Sequence, residues 1–305
     1  MKSIIAIVSI IVITFLILFF SYENPINPLL EAYDLVNQTE TSINYDNELI
    51  NTLKDNLTYY HMYYGVDIQK TEIKDNLTNA YILIDQQDIN SYETSNEILK
   101  SISIESKGFE NFIDTQGLSG TLKGLFNTYR TDEKTYVETS IALLNPPFNI
   151  NIGEKQYMDS PSANNEILTI LDLNALLVDP ITLFQGLTLD SSNTSLFQLE
   201  YGYKLLVTYD NILLTNTKAT IDIIIYDQYL IDFNLFLDGD EVTIPDNLID
   251  GVTLPQTVDL NVEFHYGLMY DITSLLPYDS NDLALFNLVD AFTLPDISGL
   301  LDFLN

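Results

Sequence analysis

At 305 residues, with 46% hydrophobic composition, 20 Tyr and 15 Phe, the chain carries enough apolar material for one large or two ordinary folded domains. Its formal net charge is −32, and from Ala219 to Asn305 there are sixteen acidic residues and no Lys or Arg; such a surface excludes nucleic acid and anionic headgroups as charge-driven partners and favours cations or a basic surface partner. The absence of Cys excludes disulfide frameworks, thiolate nucleophiles and Cys-ligated zinc together.

The first element in the chain is the run Ile4 to Phe20, which contains no charge, Gly or Pro. Extended by Ser3, Ser21 and Tyr22, a helix rising ~1.5 Å per residue comes close to the ~30 Å hydrocarbon core of a bilayer. The exit through Leu18, Phe19 and Phe20 lacks a small-x-small cleavage pattern, so residues 4–20 are expected to be an uncleaved membrane anchor rather than a signal peptide. Lys2 precedes the run and Glu23 follows it, which places the N-terminus in the cytoplasm and the bulk of this single-pass chain outside the cell membrane. Residues 1–22 are therefore read as the anchor.

Residues 23–65 read as a helical stalk. Leu49, Leu53, Leu57, Tyr60 and Tyr64 recur every three to four positions, the spacing that stacks side chains on one helix face. From about Val66 the period shifts toward two: Tyr81–Ile84 and Ile98–Ile104 look like strands, whereas Leu118, Leu122, Leu125 and Phe126 suggest an amphipathic helical stretch after Gly117. Val137, Thr139, Ile141 and Leu143 then alternate up to Asn145-Pro146-Pro147, where a ladder must stop because Pro has no amide donor. Phe148, Ile150 and Ile152 resume the alternation.

In the second half, Phe197 to Val207, Tyr229 to Leu237 and Val258 to Ile272 place apolar residues at every second position, and Ala219 to Ile225 does so less strictly. Asp210-Asn211, Asp227-Gln228, Asp238-Gly239-Asp240 and Asp250-Gly251 separate the runs with turn chemistry. Short connections of this kind join antiparallel neighbours. The expected fold is mainly β: an antiparallel sandwich, either one large one or two in tandem over residues 66–190 and 191–305, with the Leu-rich and Phe-rich tail from Asn281 packed on the sheet as short helices or coil.

No catalytic motif is present. His61 and His265 are far apart and neither neighbours a carboxylate at metal-ligand spacing; G-x-S-x-G, a Gly-rich phosphate loop and H-E-x-x-H are all missing, so no enzymatic activity is expected. Asp238, Asp240 and Glu241, with Asp246 nearby, cluster carboxylates in a predicted hairpin turn. Asp and Gly are ordinary turn residues, and the same group is a candidate Ca²⁺ site, since a hard cation takes several oxygen ligands.

The strand Thr135 to Leu144, its Asn145-Pro146-Pro147-Phe148 corner, the following FNINI and Tyr157, and a later strand entered through Thr253-Leu254-Pro255-Gln256 resemble the type 2 late-embryogenesis-abundant (LEA-2, water stress and hypersensitive response) domain. The resemblance spans about Ser101 to Leu276. It implies an immunoglobulin-like β-sandwich behind a single N-terminal membrane helix and a non-enzymatic role in stress protection. An adhesion or envelope-scaffold module and a lipid-binding or lipid-transfer protein are the alternatives. Closure separates the last from the others: a sandwich seals two apolar faces against each other, whereas a groove leaves an apolar sheet face without a partner.

Overall fold

The computed structural model describes residues 40–59, 64–90, 98–108, 120–145, 148–160, 179–211, 215–243, 257–269, 278–293 and 295. The anchor expected at residues 4–20 lies outside them, as do His61, Asp246 and the Pro146-Pro147 corner. No helix among the described residues is long and apolar enough to cross a membrane.

The described chain is mainly β, and its fourteen strands form a single sheet. The strands are β1 (Thr41–Ile43), β2 (Thr58–Tyr59), β3 (Tyr64–Asp75), β4 (Ala80–Asn90), β5 (Ile98–Lys107), β6 (Thr121–Arg130), β7 (Thr135–Asn145), β8 (Phe148–Met158), β9 (Thr194–Gln198), β10 (Gly202–Asp210), β11 (Thr217–Tyr226), β12 (Tyr229–Thr243), β13 (Thr257–Met269) and β14 (Asn287–Leu288). Their spatial order is β1-β9-β10-β11-β12-β13-β3-β4-β5-β6-β7-β8-β14, with β2 beside β12. Two antiparallel meanders, β3–β8 and β9–β13, are thus joined by one long ladder, β13 against β3, running from Asp259 opposite Lys74 to Met269 opposite Tyr64. The division expected at residue 190 does not divide the sheet.

Turn chemistry explains the meander. Asn79, Asn216 and Asp227 adopt left-handed φ of 56°, 63° and 54° at tight connections, a conformation Asn and Asp tolerate because their short side chains bond the local backbone. Asp75 closes the β3–β4 turn, accepting from the Leu77 amide at 2.9 Å and the Thr78 hydroxyl at 2.6 Å. Between β9 and β10 the chain reverses at Leu199–Tyr201, and Gly202 is required there: a Cβ would lie 2.1 Å from the Ile225 carbonyl oxygen.

Two helices cover one face of β9–β13. In α1 (Asn47–Asn56), Asp46 caps the N-terminus by accepting from the Glu48 and Leu49 amides. In α2 (Pro180–Gly186), Asp179 does the same for Ile181, with Pro180 at the first helical position where its missing N–H costs nothing. Ile50 and Leu53 of α1, Leu57 just beyond it, and Phe184 of α2 interleave with Leu205, Ile223, Phe233 and Phe264 to form the main core. A third helix, α3 (Ser280–Leu283), begins a C-terminal strap on the opposite face near β7 and β8.

Four local expectations are corrected. Among the described residues of the expected stalk the helix is α1, and it lies on the sheet: Leu57 turns extended, at φ −67° and ψ 132°, and the chain enters β2. The apolar spacing there serves packing on the sheet, not a spacer. Leu122, Leu125 and Phe126 lie in β6, because ladders to β5 on one side and β7 on the other together satisfy its backbone amides and outweigh a helical spacing. Phe197 to Val207 is a hairpin, not one strand, so Phe197 lies opposite Lys204 while Leu196 lies opposite Leu205, and the two halves of that alternation face opposite ways. Asp238-Gly239-Asp240 lies inside β12, at an irregularity between Gly239 and Val242, not in a turn.

Candidate functional site

Directly opposed residues in a ladder point to the same face, so register alone sorts the side chains of β3–β8. On the face that continues into the helix-covered core, Thr71, Ile84, Ile104, Gly124, Ile141 and Ile152 form one row across the six strands. Ile73, Ile82, Ser106, Leu122, Leu143 and Ile150 form the next. Val262 and Leu260 extend both rows onto β13. The isoleucines are half-buried, and none of these twelve residues joins a hydrophobic cluster with α1, α2 or the strap among the described residues. Among the described residues α1 and α2 roof the β9–β13 half of this face and no helix packs on the apolar rows of the β3–β8 half, the trough, in which Ser106 and Leu143 are nonetheless buried.

Toward its other end the trough turns polar. Gln69, Gln86, Thr139 and Glu154 share one row with Ile102 and Phe126, and Asp67, Asp88, Lys100, Thr128 and Gln156 share the next with Val137. Asp88 pairs with Lys100 at 3.7 Å. Gln156 donates to the Thr293 hydroxyl at 2.8 Å and accepts from its amide at 2.9 Å, which ties the strap to this end. Asp67 Oδ1, Gln69 Oε1 and Gln86 Oε1 are buried acceptors without a hydrogen-bond partner among the described residues. Burial first, then the Asp88 and Asp179 charges, push the Asp67 carboxyl up to about 7.

The opposite face of β3–β8 is different in kind. At the polar end of the trough it carries an aromatic cluster in which Tyr129, Tyr136 and Tyr157 meet Tyr278 and Phe286 of the strap. Tyr278 donates to Glu138 at 2.5 Å and accepts from Asn127 at 2.9 Å; burial, then that carboxylate, raises its pKa. The strap then rounds the β8 edge as β14 and sets Phe292 against Val137 on the trough side. Elsewhere this face is largely polar, with ion pairs such as Lys123–Glu105 at 2.6 Å and Lys74–Glu72 at 2.8 Å beside isolated Leu83, Leu125 and Leu144. The sheet is amphipathic in its β3–β8 half.

A separate polar line crosses the face of β10–β13 opposite α1 and α2. Lys204 pairs with Glu40 at 2.7 Å and Asp222 at 3.5 Å, and His265 Nδ1 lies 2.6 Å from Asn234 Oδ1 and 3.4 Å from Asp232 Oδ1. Burial raises the pKa of both Asp222 and Asp232, opposed by Lys204 and His265 respectively. The carboxylate beside His265 is invisible in chain order; only the β12–β13 register brings it there.

Of the predicted calcium ligands, Asp238, Asp240 and Glu241 are exposed on β12, and Asp246 lies outside the described residues. Glu241 takes a left-handed φ of 49° at the irregularity, and its amide donates to Asp259 Oδ1 at 3.0 Å. Asp238 and Asp240 border an open polar depression with Asn211, Asn216 and Lys218. Among the described residues no three His, Asp or Glu side chains are grouped to hold a metal. No family model, curated protein or solved structure matches the chain.

Proposed function

We propose that this protein is a membrane-anchored, extracytoplasmic, non-enzymatic lipid-binding protein that lays acyl chains along the β3–β8 trough. The observation that carries this reading is the pair of isoleucine- and leucine-rich rows on one face of β3–β8, which join no helix or strap cluster among the described residues, while the opposite face outside its aromatic cluster is largely polar. An apolar face of this extent in water is unfavourable unless something apolar lies on it. The anchor expected at residues 4–20 supplies the neighbouring source of lipid, and the charge of −32 keeps the domain itself off anionic headgroups, so that lipid must leave the bilayer to reach it.

An immunoglobulin-like sandwich would close the β9–β13 apolar face with a second sheet, but α1 and α2 occupy that face. The LEA-2-type protective reading draws support from the strand ends, since β7 stops at Asn145 and β8 starts at Phe148, on either side of the predicted corner.

Substituting Ile104→Lys or Ile141→Lys tests the trough. A charge set among these rows is costly to desolvate beneath an acyl chain, by more than the ~1.4 kcal/mol that corresponds to tenfold in affinity. Uptake of a fluorescent long-chain lipid by the full chain is expected to fall at least about tenfold, with little change in melting temperature because both sites are only half-buried. Undiminished uptake by both variants contradicts the assignment.

A further inference from the structure

On this face β3, β4, β6 and β8 read from polar to apolar along their length in the same sense, so an amphiphile lying there has its orientation dictated. The polar end is defined by Asp67 and Gln69 of β3 and Gln86 and Asp88 of β4, opposed pairwise across one ladder. Gln86 is only 6% exposed, and its Oε1 lacks a partner among the described residues, as do Gln69 Oε1 and Asp67 Oδ1 beside it. Leaving one buried acceptor unmet costs ~1–3 kcal/mol. Three together call for a group that brings several donors.

Charge selects among such groups. Asp67 feels Asp88 and Asp179, the cap of α2, while the cation on this patch, Lys100, is paired with Asp88. An anionic head would meet carboxylates and lone acceptors. A quaternary ammonium has the right charge but no N–H to donate. A primary ammonium has both: one positive charge for Asp67 and three N–H donors for the acceptor oxygens.

We infer that the Asp67–Gln69–Gln86 patch is a headgroup site for a primary ammonium, so that the ligand class of the trough is a long-chain amphiphile with a donor-bearing cationic head. This assignment rests on the lipid-binding reading of the trough. It also gives a purpose to a carboxylate whose ionisation the fold opposes, since an ammonium would restore the charged form. Among the described residues, the titratable and charged groups around Asp67 are Asp88 on β4, Lys100 on β5, Asp179 at α2 and Tyr266, opposite it on β13.

The test uses the full chain held in a non-ionic amphipol and three competitors with the same alkyl chain: hexadecylamine, hexadecyltrimethylammonium and palmitate. Each displaces an environment-sensitive alkyl probe at moderate salt. Hexadecylamine is expected to bind at least about tenfold tighter than palmitate and severalfold tighter than the trimethylated amine. In the Asp67→Asn/Gln86→Met variant that preference should collapse toward equality, with palmitate affinity maintained or improved. The variant alters the net charge of −32 by one, so bulk electrostatics cannot account for a collapse. Equal binding of amine and palmitate by the parent chain, or a preference unchanged in the variant, overturns the headgroup site and leaves the trough. Failure of all three, and of the probe, to bind overturns both.

Discussion

Replacing Phe264 with alanine is expected to destabilise the fold by about 3–5 kcal/mol, the usual cost of removing a buried aromatic ring and leaving its cavity. Phe264 is 1% exposed, stands edge-to-face with Phe233 at 5.9 Å between ring centroids, and lies opposite Leu235 on one side and Gln69 on the other. A domain is typically stable by only ~5–15 kcal/mol, so the loss is a large fraction of the total. Its reach is the more informative part. Because β13 carries the ladder that joins the two meanders, hydrogen exchange should quicken in β3 and β4 as well as in β11 and β12. Loosening confined to β9–β13, with β3–β8 protection unchanged, would show that the halves fold independently and that the ladder contributes little.

The second large effect is a gain. Asp67→Asn is expected to stabilise the protein at alkaline pH and to do little in acid. The folded-state pKa of Asp67, about 7, lies above the ~3.9 of an unfolded aspartate. The folded chain therefore holds a proton that the unfolded chain releases between about pH 4 and 7, and stability falls as pH rises through that window. Below it both states are protonated and the group contributes no difference. At pH 8 the ionised carboxylate costs on the order of 2–4 kcal/mol, since each tenfold difference in proton affinity between the folded and unfolded chain corresponds to ~1.4 kcal/mol. Asparagine carries no charge and removes the cost. Urea unfolding of both forms at pH 4.5 and pH 8 measures it: the curves should nearly coincide at the lower value and separate at the higher, with the variant more stable. A variant less stable than the parent at pH 8 would mean that the Asp67 carboxylate is held by a favourable partner instead of being opposed by its surroundings. A carboxylate retained where it costs stability is what a binding site exacts from a fold.

The faces of individual strands were legible in the sequence wherever period two was unbroken. Val137, Thr139, Ile141 and Leu143 share a face, and so do Val258, Leu260, Val262 and Phe264. What strand alternation cannot specify is which strands become neighbours. Pairing of β13 with β3 joins residues distant in the chain, such as Asp259 with Lys74 and Met269 with Tyr64, and nothing in either strand's own pattern selects that partner over another apolar strand.

Local misreadings had local causes. The Leu199–Tyr201 reversal keeps apolar residues at odd positions while it exchanges the faces, so Phe197 and Leu205 looked alike and lie on opposite sides. Asp238-Gly239-Asp240 has turn composition, yet Gly239 serves close packing inside β12: a Cβ there would come within 2.5 Å of Val242 and 3.0 Å of Thr217. The polar end of the trough left a trace that only pairing makes readable. Asp67 and Gln69 on one strand, and Gln86 and Asp88 on the next, occupy the same alternate positions as Thr71, Ile73, Ile82 and Ile84. Four polar residues on the apolar parity of two adjacent strands mark a site once the strands are known to be adjacent; in chain order they look like interruptions.

The central question is which surface of the sheet meets lipid. Photo-crosslinking of the full chain, with a phosphatidylethanolamine carrying a diazirine near the end of one acyl chain, measures this directly when the labelled residues are mapped by mass spectrometry. Labels are expected on the trough rows, at Ile84, Ile104, Ile141 and Ile152 and their neighbours, and sparse on Lys70, Glu105 and Lys123 of the opposite face. Labelling confined to residues 4–20, with the trough unmarked, would contradict a lipid-binding sheet and leave only an anchored one.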